Sequence, residues 1–282
     1  MLNQITGLGR AGDTDIDLQD ARPIGSSPAK TPARPILTYC RHEGAVQSVL
    51  WPLPGYHTPF DPGFPGGAPP DDLRFEDKLD RIAWRGNLAG PEQPTTGERA
   101  RPAPFAIRDI LAAAPDARAA HWARAFTITR FATLIRHRDD PDTDFGFAPS
   151  RVLDPAAHLP ELAPFMRPRQ DIGWFRRHRY VLSMGGTDVG SNFLMAANSR
   201  SVVLKEEEGW EVFYTGLFRP WEHYIPLARG CADLDEKLDW ARANPGKCKR
   251  MSRAARAACA LLADAAMRAE VLNGVLDGLW AR

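Results

Sequence analysis

The sequence predicts an α/β fold built on a parallel sheet. The clearest sign is one run: an apolar strand Tyr180–Met184, a turn Gly185-Gly186-Thr187-Asp188, a helix Ser191–Asn198 and a second strand Ser201–Leu204. Parallel strands need a crossover connection, and strand–turn–helix–strand at this spacing is a βαβ unit. A second sign is the recurrence of short apolar runs elsewhere, such as Ile36–Cys40 and Ala45–Trp51, which read as buried strands. A third is the 44% content of hydrophobic residues over 282 positions, enough to fill a core.

The elements follow in order. Residues 1–34 are polar and broken by Pro23, Pro28 and Pro32, with one strand-like alternation at Ile16-Asp17-Leu18. The stretch Trp51–Asp72 is rich in proline and glycine and reads as a long loop, which inside a compact protein is usually functional or a linker. Asp77–Ala83 leads into Trp84-Arg85-Gly86, a strand ending at a glycine turn. Phe105–Ala114 has helical spacing and stops before Pro115, His121–Arg138 is mixed, and Asp139–Pro168 reads as loop. Asp171–Arg177 predicts a short helix. His223–Pro226 predicts a short strand, and Leu234–Ala243 a helix with Asp233 as N-cap and Asn244-Pro245-Gly246 as its stop. Met251–Trp280 reads as one or two Ala/Leu-rich helices.

Composition excludes several classes. Lys+Arg is 36 and Asp+Glu is 35, so a net charge of +1 gives no global field for nucleic acid or an anionic membrane. No apolar run approaches the ~18 residues of a spanning helix, and the N-terminus has no apolar signal core. Cys40, Cys231, Cys248 and Cys259 form no CxxC and read as reduced thiols. These features predict a cytoplasmic protein, at most peripheral to a membrane.

Ligands of open α/β sheets bind outside the carboxyl ends of the strands, so the loops after Trp84 and Met184 are the favoured places for a site. In the first, Arg85 beside Gly86 can offer a guanidinium and a backbone N–H to one anion, and Arg99 and Arg101 can return to the same place. Solvated surface arginines are the plain alternative. In the second, Gly185 and Gly186 precede a helix whose N–H groups favour anions, while Asp188 either caps that helix or accepts from a sugar hydroxyl. The glycines fit neither GxGxxG nor GxxxxGK[ST], which disfavours a standard dinucleotide site and a P-loop. Asp13, Asp15 and Asp17 form DxD pairs in a polar segment. His223 reads as structural. Glu206-Glu207-Glu208 reads as a solvated turn.

The string from His178 to Leu227 resembles the C-terminal half of the family 90 glycosyltransferases, which include bacterial lipopolysaccharide glycosyltransferases, fungal capsule-associated xylosyltransferases and animal protein O-glucosyltransferases, and it is most similar to the bacterial branch. The matching pieces are Arg179-Tyr180, Gly186-Thr187-Asp188-Val189, Ser191-Asn192 and Asn198-Ser199-Arg200-Ser201. The later pieces Pro220–Pro226 and Asp233–Trp240 fit as well, and upstream Trp84-Arg85-Gly86 fits the family's arginine–glycine strand end. The likeness runs from about residue 78 to 250 and faintly from Ile16.

The resemblance implies a GT-B-like architecture of two Rossmann-like lobes, with the donor in the cleft and a trimmed N-terminal lobe. It implies three parts: 1–76 as a partial acceptor-side lobe, 77–250 as the nucleotide-sugar lobe, and 251–282 as C-terminal helices. It implies inverting transfer of a hexose or pentose from a UDP-sugar to a lipopolysaccharide, capsule or related glycan, without a metal or other cofactor. Donor-binding residues would be Arg85, Gly86, Asn87, Arg99, Arg101, Gly185, Gly186, Asp188, Ser191 and Asn192. Asp20 would be the general base, taking the proton of the acceptor hydroxyl. Should Asp20 face elsewhere, the next candidates are Asp61, Asp71, Asp72 and His57. The alternative is a catalytically degenerate family member that binds a glycan or nucleotide.

Overall fold

A computed structural model describes the whole chain except residues 20–21, 54–56, 58–69, 93–101 and 282. In chain order the helices are α1 (Leu2–Gly7), α2 (Ala103–Ala112), α3 (Arg118–Ala125), α4 (Thr129–Arg136), α5 (Ile172–Arg176), α6 (Phe193–Ala197), α7 (Leu234–Ala243), α8 (Pro245–Ala263) and α9 (Ala265–Trp280). The strands are β1 (Asp15–Asp17), β2 (Ile36–Thr38), β3 (Cys40–His42), β4 (Ser48–Leu50), β5 (Leu79–Gly86), β6 (Thr143–Phe147), β7 (His178–Ser183), β8 (Val202–Glu206), β9 (Trp210–Val212) and β10 (Ile225–Leu227).

Two parallel sheets organise the α/β fold. The larger has the order β10-β8-β7-β5-β6 and the smaller β1-β2-β4. β7 and β8 pair in parallel, with Tyr180 opposite Val202 and Leu182 opposite Leu204, as the βαβ spacing predicts. Strand alternation sends Ile82, Trp84, Tyr180, Leu182, Val202 and Leu204 into one core under α2, α3, α4 and α7. It sends Ala83, Val181 and Val203 into a second core with α5, α6 and the later half of α8. Central strands buried on both faces are what a parallel sheet requires.

The smaller sheet has its own cluster. Leu37 and Trp51 pack with Ile5 and with Leu272 and Leu276 of α9. The two C-terminal helices therefore divide their work: α8 covers the large sheet and α9 the small one. An antiparallel pair, β3 with β9, links the two units, with His42 opposite Trp210.

Several elements differ from the sequence expectation. Residues 139–168 contain β6, an edge strand pairing Thr143–Phe147 with Ile82–Gly86. Its acidic and proline-rich flanks hide five strand residues. Gly146 sits there because a Cβ would lie 2.2 Å from Arg167 Cγ. The mixed segment 121–138 resolves into parts of α3 and α4. α6 begins at Phe193, later than expected, so Asp188 does not cap it. Asp233 precedes α7, but its carboxylate accepts from Ala228 N at 2.8 Å instead of from the helix's first turn. Pro245 opens α8, at a position where a missing N–H costs nothing. Among the described residues no helix is long and apolar enough to cross a membrane.

Candidate active site

The loops that leave the carboxyl ends of β5 and β7 meet in a cleft. Gly90 and Gly186 approach so closely that a Cβ on Gly90 would sit 3.1 Å from the Gly186 carbonyl, and Gly90 has φ +104°, which favours glycine. Two adjoining cavities open here and share Ala89, Gly186, Thr187 and Asp188. The first, about 380 Å³, is closed on the other side by Tyr39, Leu53 and His57 from the small-sheet unit. The second, about 320 Å³, runs toward Glu206, Glu208, Trp210 and Arg229.

Arg130 of α4 forms part of the wall of the first cavity. Its guanidinium donates to Gly185 O at 2.8 Å, Asn87 O at 2.9 Å and Met184 O at 3.1 Å, clamping the two loops together. The planar fork makes three such bonds possible from one side chain. Burial lowers its pKa to about 10, so it stays charged at neutral pH. It also lies under Gly186, where a Cβ would come 2.7 Å from its Nη2.

The acidic run after β8 is not a solvated turn. Glu206 is 3% exposed and Glu208 8% exposed; only Glu207 faces solvent. The Glu206 carboxylate accepts from Gly185 N at 3.0 Å and from Gly230 N at 2.8 Å, tying the β7 loop to the turn after β10. Such bonds satisfy a buried charge that would otherwise cost several kcal/mol. Glu208 accepts from Lys205 Nζ at 3.0 Å through Oε2, while its buried Oε1 has no partner. Desolvation raises the Glu208 pKa, partly offset by Lys205.

Tyr39 donates to Asp188 Oδ2 at 2.8 Å across the first cavity. His57 Nδ1 accepts from Leu53 N at 3.1 Å. That bond puts the ring proton on Nε2, so a neutral His57 offers the cleft a donor and not a base. Burial depresses its pKa to about 4 and keeps it neutral.

The structure brings together some of the expected site residues. Gly185, Gly186, Asp188 and Ser191 line the cleft. Asn192 turns away, donating to Leu182 O at 2.8 Å. Asn87 holds Ser150 Oγ at 2.7 Å through Oδ1, and its carbonyl takes Arg130. Gly86 serves packing, since a Cβ would lie 2.5 Å from the Trp84 ring. Arg85 points to the opposite face of β5 from Trp84. It bonds Asp144 Oδ1 at 2.5 Å and Asp144 O at 2.7 Å and lies 4.4 Å over the Trp174 ring. Among the described residues the cation on the first cavity is Arg130, where the sequence pointed to Arg85. Asp20, Arg99, Arg101 and Asp61 lie outside the described residues. Asp71 is buried with Lys78 Nζ at 2.8 Å and accepts from Arg200 N. Asp15 and Asp17 pair with Arg34 and Arg22. His223 is structural, its Nδ1 accepting from Arg219 N at 3.0 Å.

Two groups escaped sequence reasoning. Arg130 lies in the first turn of α4 among ordinary residues and carries no local signal. Glu206 ends β8 of the βαβ unit and Glu208 follows it, so the rule that singles out Gly185 and Gly186 at the end of β7 applies to them equally.

Residues 167–261 match the family model described as Glycosyl transferase family 90. Rat protein O-glucosyltransferase 3 is 36% identical over 80 residues, which are 28% of this chain and 16% of that protein. The human protein O-glucosyltransferase 3 is 32% identical over the same shares. The match thus spans only 16% of the length of these relatives. Uncharacterized protein 027R of frog virus 3 is 29% identical over 37% of this chain and 11% of its own. Among solved structures, a glycosyltransferase from Rickettsia africae is similar over 99% of this chain and 79% of that one, with a TM-score of 0.44 and 10% identity. Anabaena HepE, solved with UDP and glucose, is similar over 71% of this chain and 49% of that one, with a TM-score of 0.38 and 12% identity. The segment 167–261, which supplies Gly185 to Ser191 and the Glu206–Glu208 run to the cleft, is therefore the part of the chain that matches the glycosyltransferase family 90 model, as the motifs along it implied.

Proposed function

We propose that this protein transfers a sugar from a UDP-sugar to a hydroxyl of a glycan or glycolipid acceptor, of the lipopolysaccharide or capsule type, with inversion at the anomeric carbon and without a metal. One observation carries the reading: the segment matching family 90 is the same segment that supplies about half of the described lining of the cleft at the carboxyl ends of the large sheet, including Gly185 to Val189 of the β7 loop. A binding cleft at that edge is where this fold class holds its ligands.

The chemistry can be assigned to the residues at hand. Inverting transfer is a single displacement: the acceptor oxygen bonds to the anomeric carbon, the bond to the UDP oxygen breaks, and a base takes the acceptor proton. The leaving diphosphate needs cations and N–H donors. Arg130, the exposed backbone around Gly186 and Thr187, and the Nε2–H of neutral His57 are the groups of that kind on the first cavity. Arg99 and Arg101 belong to the loop that the resemblance assigns to the donor. His57 cannot be the base in its present tautomer, which leaves a carboxylate, with Asp20 the residue implied by the family resemblance.

The test is incubation of the purified protein with a panel of UDP-sugars and candidate acceptors, following UDP release and the anomeric configuration of the product by NMR. Transfer with inversion that survives a chelator is expected. Binding of UDP without release from any UDP-sugar would favour the degenerate binding protein, and retention of configuration would overturn the mechanism.

A further inference from the structure

The second cavity carries a feature that the transfer chemistry leaves unused. Glu208 lines it and is more than nine-tenths buried, yet Oε1 has no hydrogen-bond partner. The other oxygen is held by Lys205, whose ammonium also donates to Glu206 O at 2.9 Å. A buried acceptor without a donor is costly, and native proteins rarely keep one unless something else supplies the donor. The terminal torsion of a glutamate is broad, so a small turn presents the free oxygen to the cavity at little cost.

The surroundings limit what that donor can be. Among the described residues, Asp188, Glu206 and Glu208 line this cavity, and the cation on its wall is Arg229, exposed at the rim. Three carboxylates repel a phosphate. The rest of the described wall mixes apolar and aromatic groups, Ala89, Pro91, Pro102 and Trp210 stacked on His42 at 3.9 Å between centroids, with the hydroxyls of Thr129 and Thr187. An aromatic wall with one unsatisfied carboxylate oxygen suits an uncharged ring that carries hydroxyl groups. The diphosphate then belongs on the Arg130 side of the Gly186–Asp188 loop.

We propose that Glu208 accepts a hydrogen bond from a sugar-ring hydroxyl of the bound nucleotide sugar, on the ribose or on the sugar to be transferred. The assignment rests on the UDP-sugar reading and adds to it the residue that recognises a ring. Because Lys205 claims the oxygen of a substituted amide, Glu208→Gln turns an N–H₂ toward the ring where an acceptor is needed.

Calorimetric titrations of the unsubstituted protein and of E208Q with UDP, with dideoxyuridine diphosphate (which lacks both ribose hydroxyls) and with UDP-glucose separate the cases. A ribose contact predicts that the unsubstituted protein prefers UDP over the dideoxy compound by about 10- to 100-fold, the usual range for a charged hydrogen bond. E208Q then loses that preference. A contact to the transferred sugar predicts that UDP-glucose binds tighter than UDP, and that E208Q loses this difference instead. Either preference persisting unchanged in E208Q, with the other absent, overturns the assignment to Glu208. So do equal affinities of the unsubstituted protein for all three ligands, a result that needs no folded variant. Failure of the unsubstituted protein to bind UDP at all overturns the nucleotide-sugar reading itself.

Discussion

Two arginines that contact the carboxyl end of β5, Arg85 on the strand and Arg130 on α4, illustrate how position decides role. Arg85 and Arg130 both hold backbone carbonyls, but Arg85 does so beneath Trp174 and Arg130 at the cleft. Arg85→Met should lower folding stability by about 2–4 kcal/mol, since it leaves Asp144 without its partner. The UDP affinity of the folded variant should be unchanged. Arg130→Lys should weaken UDP binding, because a lysine cannot make the three-carbonyl clamp that sets the loops. Urea unfolding and UDP titration of the pair decide the matter; a swap of the two outcomes would return Arg85 to the donor site. His57 gives a pH test. Folded His57 takes a proton only near pH 4, whereas the unfolded chain takes one near 6.5. Between those values the unfolded state binds more protons, so the stability contributed by neutral His57 is complete above 6.5 and is lost as pH falls toward 4. The full effect is on the order of 3 kcal/mol. His57→Asn, which keeps an acceptor for Leu53 N, should flatten this part of the acid limb in urea unfolding at pH 7.5 and 4.5. An identical slope in both proteins would mean that His57 is not buried neutral.

At the scale of elements, the legible part of the chain is the part whose signals are local. The βαβ unit at 180–204 could be read because apolar runs, a glycine turn and a short helix follow one another within 25 positions, and β7 and β8 pair as that order demands. β6 could not, because its partners Ile82–Gly86 lie 57 or more positions away and its own sequence is flanked by turn-forming residues. The same limit applies to α9. Its Ala/Leu-rich sequence reads as a helix but not as one with a given partner, and Leu272 and Leu276 complete the core of the small sheet with Ile5, Leu37 and Trp51 from the other end of the chain. Leu276 is fully buried, and Leu276→Ala should cost about 2–5 kcal/mol through lost burial and the cavity left behind. Because the small sheet has three short strands and one small cluster, the loss should fall there first. Hydrogen exchange should therefore speed up at Leu37 and Val49 while Val181 and Val203 in the large sheet stay protected. Uniform acceleration across both sheets would show that the two cores unfold as one.

At the scale of the molecule, the cleft draws on residues that no local pattern connects: Tyr39 and His57 from the small-sheet unit, Arg130 from α4, and Gly186 to Ser191 from the β7 loop. The β3–β9 pair and the bond from Tyr39 to Asp188 tie these walls across the two units. A ligand that fills the cleft engages both units and is absent from the unfolded chain, so it stabilises the fold by mass action. At a hundredfold excess over its Kd that amounts to about 2.7 kcal/mol. For a chain of this size the melting temperature should rise by about 4–8 °C. UDP should produce this shift, and uridine, lacking the diphosphate, a much smaller one, because the cations of the first cavity would then have nothing to hold. The shift should be the same in a chelator and in manganese. The DxD carboxylates Asp15 and Asp17 are already paired with Arg34 and Arg22. A UDP-induced shift that appears only with manganese would overturn metal-independent binding. An equal shift with uridine would move the recognition away from the diphosphate and count against Arg130 as its partner.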